Sequence, residues 1–402
     1  MVTEELEVAG HIIDSLVLAR VLDAVVAAGA DYTMLDVQIG RTNADTSRAH
    51  LAITAADEPA MAALLEELQQ HGANPIGDVD ATLAACETDG VLPAGFHATT
   101  NLPTQVRVEG RWLDVLAPEM DCALVVAGAL VRTCPMHRVI EGDLVVVGGG
   151  GVRVEAPARP RGATGFEFMS SEVSSEKPKA LLVAQVAERM RACRGRGARV
   201  LAVLGPAVVH TGAAPDIARL VREGWIDVLF AGNGFATHDI ESHVLGTSLG
   251  ISVSAGTTTE GGHSNHLRVI NEVRRWGSIA AAVEGGYLTG GVMYECVRRP
   301  IPFVLAGSVR DDGPLPDVRT DVVGAVDEMR SHLTDVGVSL MLASTLHAIA
   351  TGNLLPAGVE TYCVDINQAV VTKLADRGSH QALGIVTDVG LFTRDLTEQL
   401  CE

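Results

Sequence analysis

Lysine is nearly missing from this chain: Lys177, Lys179 and Lys373 are the only three, and aromatic residues make up just 3% of the 402 positions. With a formal net charge of −20, no large phosphate-binding face can be assembled, because nucleic-acid binders concentrate Lys and Arg on one surface. Nucleic acid is therefore not an expected partner. Cysteine is present but unorganised: Cys86, Cys122, Cys134, Cys193, Cys296, Cys363 and Cys401 are odd in number and widely spaced, with no C-x-x-C pair. Neither a disulfide framework nor a cysteine zinc site is indicated. No apolar run reaches membrane-spanning length, and the acidic start MVTEELEVAG lacks the basic and apolar regions of a signal peptide. A cytoplasmic protein without a membrane partner is expected.

What is present is globular in character, with 47% hydrophobic and 20% charged residues, enough chain for about two or three domains with their own cores. The first third reads as strand Leu6–Ile13, helix Ser15–Ala28, strands Tyr32–Ile39 and Arg48–Thr54, helix Glu58–Gln70 and strand Val79–Cys86. In the first helix Leu16, Leu18, Val21, Leu22 and Val25 are expected to share a stripe after the candidate caps Asp14 and Ser15. The order βαββαβ predicts a ferredoxin-like domain, a fold that specifies no function.

Asp89 to Pro103 is a polar, turn-rich loop, DGVLPAGFHATTNLP, and its length makes His97 and Asn101 candidates for contacting a small polar substrate. Local backbone hydrogen bonding is the competing role. Gln105 to Pro157 reads as short strands, with a hairpin at Glu109-Gly110. The run Gly148 to Gly151 imitates a phosphate loop, but the prolines that follow forbid the helix such a loop needs, so a plain turn is expected. The expected organisation is a ferredoxin-like domain over residues 1–104, a small β-rich segment and connector over 105–175, and an α/β domain over 176–402.

From Ala180 onward strands and helices alternate, which implies a doubly wound parallel sheet covered on both faces. Strands are predicted at Val200–Leu204, Ile226–Phe230, Ile301–Ala306, Val338–Leu342, Thr361–Val364 and Ala382–Val386. Ligands of such sheets bind beyond the carboxyl ends of the strands, and all six ends carry Asp, Asn, Ser, Thr or Gly. Asp312, Asp365 and Asp388 suit ribose hydroxyls or a cationic amine, while glycines and helix starts suit a pyrophosphate. Gly232-Asn233-Gly234 has the setting of a nucleotide-binding turn, with a helix predicted from His238, although Thr237 stands where a third glycine would complete G-x-G-x-x-G. His263 and His266 could share a helical face, but without a clear third ligand no metal site is expected; His263 is better suited to substrate.

Several long strings resemble one family: GHIIDSLVLARVLD at Gly10, DGVLPAGFHATTNLPTQVRVEGRW at Asp89, GFEFMSSEVSSEKP at Gly165, GPAVVHTGA at Gly205, GNGFATHDIE at Gly232, VEGGYLTGGVMYEC at Val283, TLHAIATGNLLP at Thr345 and IVTDVG at Ile385. The chain is similar, almost end to end, to the archaeal-type NAD-dependent ornithine cyclodeaminases, found also as the C-terminal part of bifunctional cyanobacterial arginine-degrading enzymes. The resemblance implies conversion of L-ornithine to L-proline and ammonia, with NAD reduced and re-oxidised within one turnover. It implies a LOR/SDH-like N-terminal domain and an NAD-binding domain resembling deoxyhypusine synthase. By that resemblance Asn233, Gly234, Asp312, Thr345, Leu346, His347, Asp365, Asp388 and Val389 fall at cofactor positions. Gly234-Phe235 departs from the Ala-Leu of many relatives.

Such a reaction must move protons near neutral pH. Asp312 is a candidate base, Lys373 a candidate proton carrier if burial lowers its pKa, and Glu295 a candidate partner of the substrate amine. The chain starts directly at the cyclodeaminase portion, so no arginine-degrading activity is expected. A homo-oligomer, dimer or tetramer, is expected from the deoxyhypusine synthase likeness. Two other readings stand beside this one: an NAD-dependent oxidoreductase of opine or saccharopine type acting on a basic amino acid, and a non-catalytic NAD-responsive regulator.

Overall fold

The computed structural model describes residues 1–13, 16–41, 45–77, 79–155, 173–174, 179–248, 251–252, 264–311, 313–376 and 382–401. The candidate caps Asp14 and Ser15 lie outside them. The chain divides into two compact units, Met1–Ser170 with Asn353–Ala357, and Ser171–Gly352 with Gly358–Glu402.

The first unit opens with β1 (Val2–Gly10), α1 (Val17–Ala27), β2 (Asp31–Gln38), β3 (Ser47–Ala55), α2 (Glu58–Gln70) and β4 (Ala73–Pro75). The sheet order is β2-β3-β1-β4, all antiparallel, which is the ferredoxin-like arrangement. β3 shows why the sequence is legible there: Ala49, Leu51, Ile53 and Ala55 are buried while the residues between them are not, the period-two pattern of a strand with one covered face. In α2 Asp57 caps the Ala60 N–H and Pro59 sits in the first turn, so the predicted helix Glu58–Gln70 starts and ends where expected.

One strand is displaced. The fourth strand of this sheet is β4, whereas the predicted strand Val79–Cys86 supplies β5 (Thr82–Ala85) to a different sheet. The turn at Gly72 brings Ala73 against Val8, and only the pairing with β1 distinguishes this short segment from a loop.

β5 joins β6 (Thr104–Val108), β7 (Arg111–Leu116), β8 (Ala123–Ala127), β9 (Leu130–Cys134), β10 (Leu144–Val147) and β11 (Val152–Val154) in the order β11-β6-β7-β9-β8-β10-β5. The predicted hairpin is present: Glu109 and Gly110 both take positive φ, 50° and 75°, the two-residue turn whose twist matches its strands. The glycine run is a turn packed on Gln69, which is buried and donates to Gly149 O at 2.7 Å and to Val152 O at 3.2 Å. A Cβ on Gly149 would stand 2.2 Å from Gln69 Oε1, so the glycine serves packing within this unit.

The second unit contains β12 (Val173–Ser174), α3 (Lys179–Gly195), β13 (Arg199–Leu204), α4 (Ala207–His210), α5 (Ala214–Arg222), β14 (Val228–Gly232), α6 (Asn233–Leu245), β15 (Thr247–Ser248), β16 (Ile251–Ser252), α7 (Asn265–Trp276), α8 (Ile279–Glu284) and α9 (Val292–Arg298). β17 (Phe303–Ala306), β18 (Val318–Arg319), α10 (Val322–Ser331), β19 (Val336–Leu342), α11 (Leu346–Leu354), β20 (Glu360–Asp365), α12 (Gln368–Asp376), β21 (Ala382–Val386) and α13 (Val389–Cys401) follow. The eight-stranded sheet runs β12-β21-β20-β19-β13-β14-β17-β18 and every pairing is parallel. Its central strands are buried residue after residue, as in Val200–Leu204 and Leu340–Leu342, because helices cover both faces. Among the described residues no helix is long and apolar enough to cross a membrane.

Candidate active site

The strand order locates the site. From β13 the chain passes to β14 and β17 on one side, while β19, β20 and β21 succeed one another on the other. This is the order of a dinucleotide-binding sheet, whose crevice opens where the winding reverses, between β13 and β19. There the two strand ends touch: the Gly205 N–H donates to Leu342 O at 2.9 Å, and a Cβ on Gly205 would lie 1.7 Å from Ala343 O. No residue but glycine fits at 205. Ala343 itself has φ 47°, a left-handed conformation that costs a residue with a Cβ about 1–2 kcal/mol and marks a strained turn at the crevice.

β14 ends beside it. The helix after Gly232 begins at Asn233, not at His238 as the glycine-rich sequence predicts. Asn233 is buried, and its Oδ1 accepts from Leu315 N at 3.0 Å and Thr237 Oγ1 at 3.3 Å, while Nδ2 reaches Asp311 Oδ1 at 3.4 Å. These bonds hold the first turn of α6, which the local sequence alone would leave open. Gly234 lets that turn approach Pro206, 3.3 Å from where a Cβ would be. From the β19 connection His347 reaches over to Gly232: its Cε1 is 2.9 Å from where a Cβ on Gly232 would stand. Burial lowers the His347 pKa, opposed by a hydrogen bond to the Ala306 backbone and by the charge of Asp311; the ring is neutral at pH 7.

Asp365 closes β20, with Oδ1 accepting from Asn367 N at 2.8 Å. Asp388 follows β21 and accepts from Leu391 N at 2.9 Å, capping α13. Val389 is buried in that helix's first turn, and Leu346 is 76% exposed at the start of α11. Thr345 precedes it, half-buried. The structure thus brings Gly232, Asn233 and His347 together, and sets Thr345, Asp365 and Asp388 on the carboxyl ends of neighbouring strands of the same sheet.

Other candidates fall elsewhere. Glu295 is buried in α9 and accepts from Arg222 Nη1 at 3.0 Å, at the end of the helix that leads into β14, away from the carboxyl ends of the strands. Lys373 is exposed in the last turn of α12. His97 and Asn101 belong to the first unit. His97 is buried, and burial lowers its pKa against a hydrogen bond to the Gly148 backbone. Asn101 Nδ2 donates to Leu355 O at 3.2 Å and its carbonyl accepts from Ala357 N at 2.8 Å, both within that unit. Asp312 and His263 lie outside the described residues. Among the described residues no group of three or more His, Cys, Asp or Glu is placed to hold a metal.

Sequence reasoning missed two buried acids on α6. Asp239 Oδ1 and Oδ2 accept from Val292 N at 2.9 Å and Met293 N at 2.8 Å, and burial pushes its pKa up to about 6, with those bonds lowering it. Glu241 is 0% exposed and accepts from Thr247 Oγ1 at 2.8 Å, with His238 Nδ1 at 2.9 Å from its other oxygen. The histidine and glutamate one turn apart were the available signal.

Three family models cover the chain: the LOR/SDH bifunctional enzyme conserved region over residues 3–102, the first region of the arginine dihydrolase ArgZ-like C-terminal part over 103–183, and its Rossmann-fold region over 184–396. A protein of Methanopyrus kandleri named ornithine cyclodeaminase is 50% identical, over 99% of this chain and 97% of its own. The apo structure of ArgZ, a cyanobacterial arginine dihydrolase, matches with a TM-score of 0.86 at 38% identity, over 100% of this chain and 58% of that one. AgrE in ternary complex with ornithine and NAD+ matches with a TM-score of 0.54 at 42% identity, over 100% of this chain and 57% of that one. The reversed winding at Gly205 and Ala343, the polar strand ends and this full-length identity agree: the chain belongs to the ornithine cyclodeaminase family that carries the ArgZ-like Rossmann region.

Proposed function

We infer that this protein is an NAD-dependent ornithine cyclodeaminase, converting L-ornithine to L-proline and ammonia. The observation that carries this is the 50% identity, spanning 99% of the chain, to a relative of that name. The site fits the cofactor: the strand order is that of a dinucleotide-binding sheet, and Gly205 admits no Cβ at the crevice. Asn233, Gly234, Thr345, Leu346, His347, Asp365, Asp388 and Val389 would hold NAD, with Asp312 as the resemblance implies. Bound NAD supplies a reversible two-electron acceptor for the carbon bearing the α-amine.

The chain's own residues do the rest. Asp365 and Asp388 each give one oxygen to the backbone, and the other oxygen of each would accept from ribose hydroxyls. Neutral His347, packed on Gly232, donates or accepts without adding charge to the crevice. The seven cysteines are all free, which suits a reducing cytoplasm. A homo-oligomer is part of this reading: edge strand β2 exposes Tyr32, Leu35 and Val37, a surface that an isolated chain leaves open to pairing.

The test is to incubate the purified protein with L-ornithine and NAD and to quantify proline, ammonia and NADH together. Equal proline and ammonia without NADH build-up is the expected result. NADH rising with product would replace the reading with a net oxidoreductase on a basic amino acid, and NAD binding without any product would replace it with a regulator.

A further inference from the structure

We propose that His210, His238 and Glu241 form a proton relay for the substrate amines, in which His210 exchanges the proton and the other two residues position and tune it. The proposal rests on the cyclodeaminase reading.

His210 stands at the end of α4, the short helix that leaves β13 at the reversal of the winding. It is exposed, and its neighbours in sequence line the crevice. Pro206 at the start of α4 packs on Gly234, and the carbonyl of Thr211 lies 2.9 Å from where a Cβ on Gly390 would be, in the first turn of the helix that Asp388 caps. His210 Nδ1 is 2.7 Å from Ser248 Oγ, which leaves Nε2 for exchange. Behind it the ring of His238 meets His210 edge to face, with centroids 5.0 Å apart. His238 is hydrogen-bonded to Glu241, and Glu241 accepts from Thr247, whose oxygen is itself the acceptor of Asn265 Nδ2 at 2.9 Å. That last bond turns the Thr247 proton toward the carboxylate. An exposed imidazole is thus backed by a buried one and a fully buried acid, the order in which an acid orients an imidazole and stabilises its charged form.

The groups facing His210 and His238 are Glu241 from α6 itself, Asn265 and His266 from α7, and Thr247 and Ser248 from β15; the His266 ring is 6.4 Å from that of His238. A buried carboxylate behind the imidazoles favours an amine over a phosphate at His210, because it would repel the anion. Burial and then the charge of His238 lower the His210 pKa, and Glu241 raises it. In the step, the free δ-amine bonds to the α-iminium carbon as the C=N π pair returns to the α-nitrogen. Neutral His210 Nε2 then takes one proton from the new ring ammonium and delivers it to the α-nitrogen, which leaves as ammonia as the ring C=N forms, and His210 ends neutral.

The experiment measures proline formation against pH for the wild-type protein, His210→Gln and Glu241→Gln, with NAD binding followed separately by fluorescence. His210→Gln is expected to lower kcat by about a hundredfold or more and to abolish the acidic limb of the pH profile, while NAD affinity and the ornithine KM stay within about threefold. Glu241→Gln moves that limb to lower pH. Should Glu241→Gln fail to fold, His238→Gln takes its place and moves the limb to higher pH, because it removes the charge that depresses His210. A His210→Gln protein with kcat within about threefold of wild type, or a limb that neither second-site variant moves, overturns the relay. A wild-type protein that binds NAD and makes no proline overturns the cyclodeaminase reading and the relay with it, a result distinct from an active wild type with an equally active His210→Gln.

Discussion

The imidazole of His347 occupies the space that a side chain at position 232 would need: a Cβ on Gly232 would stand 2.9 Å from His347 Cε1 and 3.4 Å from Ala306 O. Two connections that are 115 residues apart in sequence are thereby locked together over the end of β13. Gly232→Ala displaces the ring from its hydrogen bond to the Ala306 backbone, a loss of about 1 kcal/mol. NAD affinity measured by fluorescence titration is expected to fall about fivefold, with thermal stability nearly retained. An unchanged affinity would show that the ring position is irrelevant to the cofactor.

At Gly205 the obstacle is backbone, not a side chain, and it cannot turn aside. With Ala343 O 1.7 Å from the added Cβ, Gly205→Ala must separate β13 from the β19 turn, at about 3 kcal/mol or more for an overpacked site. The variant is expected to be insoluble or to melt at least about 6 °C lower. A melting temperature equal to wild type would refute the close approach.

Asp239 links stability to pH. Its folded pKa of about 6 lies above the ordinary carboxylate value of 3.8, so the folded chain holds the proton more tightly than the unfolded one. The stabilisation is complete below the unfolded value and is lost as pH rises through the folded one, by up to about 3 kcal/mol. Urea unfolding between pH 4 and pH 7 is expected to show this decline, and Asp239→Asn, which cannot titrate, to lack that component. A variant whose pH slope matches wild type would assign the decline to other groups.

Glu295 has a partner that explains its burial. Arg222 Nη1 lies 3.0 Å from it, with the glutamate side chain 11% and the arginine 57% exposed. Because the arginine is more than half in solvent, Glu295→Gln is expected to cost only about 1–2 kcal/mol in chemical denaturation. A hundredfold fall in proline formation with stability intact would instead return Glu295 to the chemistry.

Local pattern carried most of the elements. Alternation marked β3, continuous apolar runs marked β13 and β19, and Asp57 with Pro59 marked the start of α2, because these signals depend on residues within one turn or strand. The displaced strand shows the limit. Ala73–Pro75 is a strand only because β1 pairs with it, and Thr82–Ala85 turns from that sheet to pair with β10. The start of α6 at Asn233 was hidden for the same reason, since its bonds go to Leu315 and Asp311, about eighty residues on.

The sequence by itself determined the α/β character, the ferredoxin-like order and, through its long motif strings, the family. Periodicity and motif are properties of the chain, readable before anything folds. Only the tertiary structure decided which strands are neighbours, and therefore that the crevice opens between β13 and β19, at Gly205 and Ala343, with Gly232-Asn233-Gly234 at the end of the adjoining strand. It alone gave Glu295 to Arg222 and set His210 against His238 and Glu241. Strand order and side-chain partners are set by long-range packing, in which residues far apart in the chain compete for the same burial and the same hydrogen bonds.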